Sequence, residues 1–227
     1  RDARPSLLLI GEAQAGKSSL LASLDLGMPF GKPCEPALDE QAACRLWFFD
    51  GATVYDVAGS AVFFDEKKRR IAPDPFNAVL SQLKKERPHR PIDGIIVAIP
   101  CTDLLPDPEN PDGPPDPERK KKAALLHQRI IETQNTLGMS VPVYVVVTQS
   151  DYVPGFAAFG GEVAEAARHS PLGWSNPIAP GNTDTNLTDW IDATVLSVHQ
   201  SLVREQGRRF AAPAPVPATG RRDRHDQ

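Results

Sequence analysis

Lys17 and Ser18 close the segment Gly11-Glu12-Ala13-Gln14-Ala15-Gly16-Lys17-Ser18, which fits the pattern Gly, four residues, Gly-Lys-Ser/Thr. That spacing suits phosphate chemistry. Glycines let backbone N–H groups curl around a phosphate, and the amino end of a following helix adds partial positive charge. In such a loop Lys17 reaches the β- and γ-phosphates and the Ser18 hydroxyl holds Mg²⁺, with Ser19 opening the helix behind them. A chance glycine-rich turn is the competing reading.

A second constellation is Asp56-Val57-Ala58-Gly59. In a switch GTPase an Asp-x-x-Gly about 40 residues beyond a phosphate loop holds Mg²⁺ through a water, and the Gly N–H meets the γ-phosphate. Its competitor is an ordinary strand-end Asp followed by a turn glycine. A third, Thr148-Gln149-Ser150-Asp151, falls where guanine binders carry Asn/Thr-Lys-x-Asp. There Asp151 would accept hydrogen bonds from a guanine. Gln149 replaces the expected Lys, which leaves GTP and ATP both open. Asp151 reads equally well as a turn or helix-capping carboxylate.

The candidate nucleotide-contacting residues are therefore Gly11, Glu12, Ala13, Gln14, Ala15, Gly16, Lys17, Ser18, Ser19, Gly59, Thr148, Gln149 and Asp151, with Ser18 and Asp56 for Mg²⁺. No catalytic residue is assigned. Between Asp25 and Gly51 there is no Ser or Thr to complete the metal shell, and Ser60 stands where a Ras-like enzyme carries the water-orienting Gln. Binding is expected, and hydrolysis is expected to be slow or to need a residue from elsewhere.

These residues require particular elements to position them. The apolar run Leu7 to Ile10 reads as a buried strand before the loop, and Ser18 to Leu24 as the helix after it. Asp50-Gly51, between Cys44–Phe49 and Ala52–Val57, is a hairpin signal that predicts an antiparallel pair. Pro75 to Glu86 has helical spacing, and Ile92 to Ile99 reads as a central parallel strand. Glu118 to Leu137 reads as a helix closed by Gly138, and Val141 to Val147 as another central strand. Phe156 to His169 and Asn186 to Gln206 read as further helices, the last amphipathic. The charged run 65–70 and the Pro-rich stretch 106–117 read as surface loops, while Arg119-Lys120-Lys121-Lys122 reads as a solvated helix face.

The expected fold class is thus α/β: a P-loop NTPase of GTPase-like type, with a mostly parallel sheet, one antiparallel hairpin strand and helices on both faces. Residues 1–210 are expected to form this domain and 211–227 a Pro- and Arg-rich linker or tail. In such sheets ligands bind at the carboxyl ends of strands, where all three constellations fall.

Composition sets bounds. At 227 residues the chain can bury one sizeable core, and a net charge of −4 gives no nucleic-acid footprint. The cysteines (Cys34, Cys44, Cys101) are odd in number and lack metal-like spacing, so reduced thiols are expected. No apolar run approaches a membrane span and no signal peptide is visible. The chain reads as a domain excised from a longer protein, with any membrane segment outside it.

Taken together these stretches resemble the cytoplasmic nucleotide-binding domain of the TssM/IcmF family of type VI, and related type IVB, secretion systems. The resemblance runs from about Pro5 to Trp174: Leu8 to Leu21, Trp47 to Asp50, Tyr55 to Gly59, Leu83 to Gly94, Val141 to Tyr144, and Thr148 to Phe156. Its most family-specific part is Lys84-Lys85-Glu86-Arg87-Pro88-His89-Arg90-Pro91-Ile92-Asp93-Gly94, which generic GTPases have no need of. Gln149 and Val57 depart from the family's usual Thr-Lys-x-Asp and Asp-Thr-Ala-Gly. The resemblance implies a domain on the cytoplasmic face of the bacterial inner membrane, anchored by helices outside this sequence. It also implies contacts with a TssL-type partner and baseplate proteins, and a nucleotide that gates or energises assembly. Two other readings stay open: a structural module that keeps the fold but not the turnover, and a small-molecule kinase using the same loop.

Overall fold

Leu7-Leu8-Leu9-Ile10 forms the middle of strand β1 (Ser6–Gly11), and its bulky aliphatic side chains are packed on both faces of a sheet. The structure, a computed structural model, describes residues 4–33, 42–64, 67, 73–106, 113, 116–161, 173–175 and 187–210. After β1 come α1 (Lys17–Ser23), β2 (Cys44–Phe48), β3 (Thr53–Val57), α2 (Gly59–Val62) and α3 (Pro75–Glu86). Then follow β4 (Gly94–Pro100), α4 (Pro117–Leu137), β5 (Val143–Thr148), α5 (Phe156–Gly161) and α6 (Leu187–Phe210). The sheet order is β2-β3-β1-β4-β5.

Pairing follows the sequence signals. β2 and β3 are antiparallel, with the Phe49 N–H bonded to the Ala52 carbonyl at 2.8 Å across the Asp50-Gly51 turn. β1 is parallel to both β3 and β4, and β4 is parallel to β5. The fold is therefore α/β with a mixed, mostly parallel sheet of five strands.

Helices cover both faces. On one face Phe76, Leu80 and Leu83 of α3 and Leu137 of α4 pack with Leu8, Ile10, Tyr55, Val57, Ile95 and Val97. On the other, Leu21 of α1 packs with Leu9, Trp47, Phe49, Val54 and Ala98. Trp47 and Phe49 stack with centroids 6.3 Å apart. The caps also follow from sequence: Asp74 and Asp116 accept from the Phe76 and Glu118 amides, each before a Pro, and Gly138 ends α4 at φ 68°.

The structure corrects two expectations. β5 is an edge strand among the described residues rather than a central one, and Val143, Tyr144, Val145 and Val147 are exposed. A Val/Tyr run signals strand preference, but β-branched and aromatic residues suit an edge as well as a centre. The basic cluster at the start of α4 is also not simply solvated. Arg119 donates to the Thr102 and Leu105 carbonyls, and Lys122 pairs with Glu12 and Asp103. These carbonyl and carboxylate partners offset the unfavourable dipole at that helix end.

Sequence patterning did not reveal Arg129. It is fully buried between elements of one face. Its Nε donates to the Val62 carbonyl at 2.8 Å and its Nη1 to Asp74 and Glu132 at 2.8 and 2.7 Å, with the guanidinium 4.7 Å from the Phe76 ring centroid. One cation thereby ties the end of α2 to the cap of α3 from within α4.

The chain divides into two compact units, Arg1–Gly161 and Glu162–Gln227, and the sheet lies wholly in the first. In the second, Trp174 and Trp190 meet edge to face with centroids 5.2 Å apart. No helix among the described residues is long and apolar enough to cross a membrane. Residues 162–169 of the expected fifth helix, most of the 65–70 and 106–117 loops, and the expected tail 211–227 lie outside the described residues.

Arg129→Ala is expected to lower the unfolding free energy by about 3 kcal/mol or more, because it removes a buried charged network and leaves a cavity. Urea unfolding followed by Trp fluorescence checks this; a loss under about 1 kcal/mol would mean the network contributes little.

Candidate functional site

Parallel pairing of β1 with β3 and β4 brings their carboxyl ends to one edge of the sheet. Gly11 ends β1, and a Cβ there would sit 2.6 Å from the Ala98 carbonyl oxygen, so only glycine lets the chain turn away so close to β4. The Gly11–Ser18 segment then curls. Gln14 and Gly16 take positive φ, 63° and 74°, before α1 begins at Lys17.

Lys17 is buried and folds back across this loop. Its Nζ donates to the Gly11 carbonyl at 3.0 Å and the Glu12 carbonyl at 2.8 Å. Burial pushes the ammonium pKa below the ordinary lysine value, against the Asp56 and Glu12 carboxylates, which hold it up. The Ser18 hydroxyl donates to Asp56 Oδ2 at 3.0 Å across the β1–β3 gap. A hydroxyl and a carboxylate in contact, with a buried ammonium beside them, form an oxygen donor pair of the kind a hard divalent cation takes.

Gly59 abuts the loop directly. A Cβ at that position would lie 2.1 Å from the Ala13 nitrogen and 2.6 Å from the Ala13 Cα, so the Asp56–Gly59 turn and the loop interlock backbone to backbone. Ala13 and Gln14 form the exposed crest, Ala15 is buried beneath it, and Ser19 is exposed on the first turn of α1.

The end of β5 holds the far side of the loop. Thr148 Oγ1 donates to the Ala15 carbonyl at 2.7 Å, and Gln149 Nε2 to the Gln14 carbonyl at 2.6 Å. Gln149 adopts a left-handed backbone, φ 57°, and its own carbonyl accepts from the Cys101 thiol at 2.8 Å. Gln149 thus tethers the loop by an amide hydrogen bond that needs no cation. Asp151 is exposed on the short turn Ser150–Tyr152 and makes no capping hydrogen bond among the described residues.

Lys122, Asp103 and Cys44 join the site without a sequence motif. Glu12 pairs with Lys122 at 2.6 Å, and Lys122 also reaches Asp103 at 3.3 Å, so the loop is tied to the start of α4. Cys44 pairs with Val57 across the hairpin, and burial together with the nearby Asp56 charge pushes its thiol up to about 12 from 9.0. The Glu12–Lys122 link had no signal in a basic cluster that reads as a solvated helix face, whereas the Cys44 placement follows from the antiparallel hairpin.

Fold and site define a class: an α/β domain whose strand-end turns, from β1, β3 and β5, converge on one glycine-bracketed loop with a buried lysine. A model of the IcmF-related N-terminal domain matches residues 71–221, well over half of the chain. The chain belongs to that family. It is also 32% identical over 159 residues to a Pseudomonas aeruginosa protein described as type VI secretion system component TssM1, covering 68% of this chain and 14% of that protein. The chain thus spans only about 14% of the length of this curated relative. The family match begins beyond Gly59, so the Gly11–Gly59 half of the site stands on its geometry, while Thr148–Asp151 falls inside the match.

Two outcomes follow from this geometry. Gly59→Ala is expected to dislodge the loop, because the clash is with backbone rather than with a flexible side chain, costing about 2 kcal/mol or more by thermal unfolding; an unchanged Tm would contradict the interlock. Cys44, isolated by replacing the other two cysteines with Ser, is expected to react with iodoacetamide at pH 8 about a thousandfold more slowly than in urea, since the thiolate is the nucleophile. The linkage has the same sign. Above pH 9.0 the unfolded thiol loses its proton while the folded one keeps it, so this contribution to stability is full below pH 9.0 and is lost towards about pH 12. A folded-state reaction as fast as in urea would refute the burial.

Proposed function

We propose that the chain is a nucleotide-binding domain, taking GTP or ATP with Mg²⁺, in the membrane complex of a type VI-like secretion system. The observation that carries this is the joint held around Lys17. One buried ammonium spans the loop, the Ser18 hydroxyl meets Asp56, and Gly59 closes against Ala13 with no room for a side chain. This geometry supports the P-loop NTPase reading of the sequence, and the donor set fits the group. Ser18 and Asp56 would hold Mg²⁺, Lys17 and the Gly11–Ser18 amides the phosphates, and Gly59 the terminal phosphate. Mg²⁺, when bound, neutralises phosphate charge. The Thr148 and Gln149 bonds to the loop would fix it for the base side of the site, with Asp151 free to accept from a base.

Hydrolysis is proposed to be slow. Ser60 follows Gly59 at the start of α2 and offers only a short hydroxyl where a water-orienting amide is needed. The domain would act as a switch or assembly module on the cytoplasmic face of the inner membrane, beside a TssL-type partner and baseplate proteins, with anchoring helices elsewhere in the full protein. Family membership and the relative's described role support this placement.

One observation favours a second reading, a scaffold domain in which nucleotide turnover is dispensable. The loop is held by its own bonds, Lys17 Nζ donating to the Gly11 and Glu12 carbonyls and Glu12 pairing with Lys122, so its conformation does not require a phosphate.

Titration with fluorescent GTP, ATP and their diphosphates separates the readings. Saturable binding at tens of micromolar or tighter is expected, weakened at least tenfold (about 1.4 kcal/mol) by Lys17→Ala, with Asp151→Asn reducing any guanine preference. No wild-type binding in that range, or an affinity untouched by Lys17→Ala, would overturn the proposal.

A further inference from the structure

A cavity of about 300 Å³ opens at the amino end of the sheet, opposite the strand ends described above, and is lined by Arg4, Ser6, Phe48, Thr53, Tyr55 and Arg87. Register explains its floor. Ser6 pairs with Thr53, Phe48 pairs with Thr53, and Leu46 pairs with Tyr55, so Ser6, Thr53, Tyr55 and Phe48 share the face that α3 covers further along. α3 stops at Glu86. Arg87 caps it through its N–H to the Leu83 carbonyl at 2.9 Å, and Pro88 prevents another turn. The sheet face beyond that point has no helix over it among the described residues.

That floor is built unlike a core. Where a covered sheet face would carry aliphatic residues, this one carries two hydroxyls and a phenol. Ser6 is fully buried, and its Oγ has no hydrogen-bond partner. Its main chain is locked: the Ser6 N–H donates to Asp93 Oδ2 at 2.6 Å, and the Asp93 N–H donates to the Ser6 carbonyl at 2.6 Å. Asp93 is held in turn by Arg90. The walls are cationic, since Arg4 and Arg87 both line the cavity and neither guanidinium has an ion pair or side-chain hydrogen bond among the described residues. Arg87, Arg90 and Asp93 all belong to the stretch from Lys84 to Gly94, which the nucleotide reading leaves without a role.

We propose that this cavity is a second ligand site, taking a small oxyanion: a carboxylate or phosphate group on a ligand whose apolar part lies against Phe48. Two guanidinium groups with no partner among the described residues carry the charge and the donor forks that the planar or tetrahedral oxygens of such a group take. The volume is at the small end of ligand pockets, which suits a metabolite-sized anion. The site shares no residue with the Gly11–Ser18 loop, Asp56 or Gly59, so binding at the two can be measured separately.

The test uses the chain carrying Lys17→Ala, so that phosphate binding at the nucleotide loop does not interfere. Phenyl phosphate and benzoate are titrated at fixed ionic strength while the amide NMR signals of Ser6 and Thr53 are followed. Saturable shifts of those amides with either probe are expected, the tighter probe identifying the anion class. Arg87→Ala and Arg4→Ala should each weaken binding at least tenfold without lowering Tm. No saturable shift with either probe up to about 10 mM, or an affinity unchanged by Arg87→Ala, would overturn the site. Nucleotide affinity of the Arg87→Ala chain with Lys17 intact should equal that of wild type, so the two sites succeed or fail separately.

Discussion

β1 is hydrogen-bonded along both edges to strands that run parallel to it, and the candidate site depends on that arrangement. Leu9 lies beside Asp56 on one edge and Gly11 beside Ala98 on the other. Because the strands point the same way, the turn leaving β1, the turn leaving β3 and the segment leaving β4 must all emerge together. Hydrophobic burial fixes the register. Leu8 and Ile10 face α3 and α4, Leu9 faces α1, and a slip of one residue would reverse every one of them. Through that register the core places Ser18 against Asp56.

The loop itself is over-determined by polar contacts. Lys17 binds its own loop carbonyls, Thr148 and Gln149 hold two more, and Gly59 seals one flank. Glu12 and Lys122 carry the same constraint to α4, where Arg119 also grips the segment after β4. Arg129 continues it from α4 to the end of α2 and the cap of α3. A displacement of the loop would therefore be felt in α2, α3 and α4 through named bonds. That is the physical basis on which a bound phosphate could alter a distant surface.

Much of this was legible in the sequence because the relevant signals are local. The Asp50-Gly51 turn specifies a hairpin, the Leu7–Ile10 run a buried strand, and the Asp-Pro pairs at Asp74 and Asp116 helix starts. The spacing of Gly11, Gly16, Lys17, Ser18 and Asp56 identified residues that the fold does bring together. Long-range electrostatics was not legible. Arg129 looks like any helical arginine until its partners from α2 and α3 are known, and Lys122 like a solvated lysine until Glu12 is placed beside it. The edge position of β5 was hidden for another reason, since a valine-rich run has the same composition in a central strand and at an edge. The departure at Gln149 reads differently in structure than in sequence. Its amide reaches the Gln14 carbonyl, so the residue at this position ties the end of β5 to the loop without a charge.

In the nucleotide-binding reading Ser18 and Asp56 form a seat for a divalent cation beside a phosphate loop. Calorimetric titration of GTP and ATP with and without Mg²⁺, on wild type and on Asp56→Asn, tests it most directly. Mg²⁺ is expected to tighten triphosphate binding at least tenfold in wild type, and Asp56→Asn to remove most of that gain while leaving the metal-free affinity near its original value. Triphosphate binding indifferent to Mg²⁺, or a Mg²⁺ effect undiminished in Asp56→Asn, would contradict it.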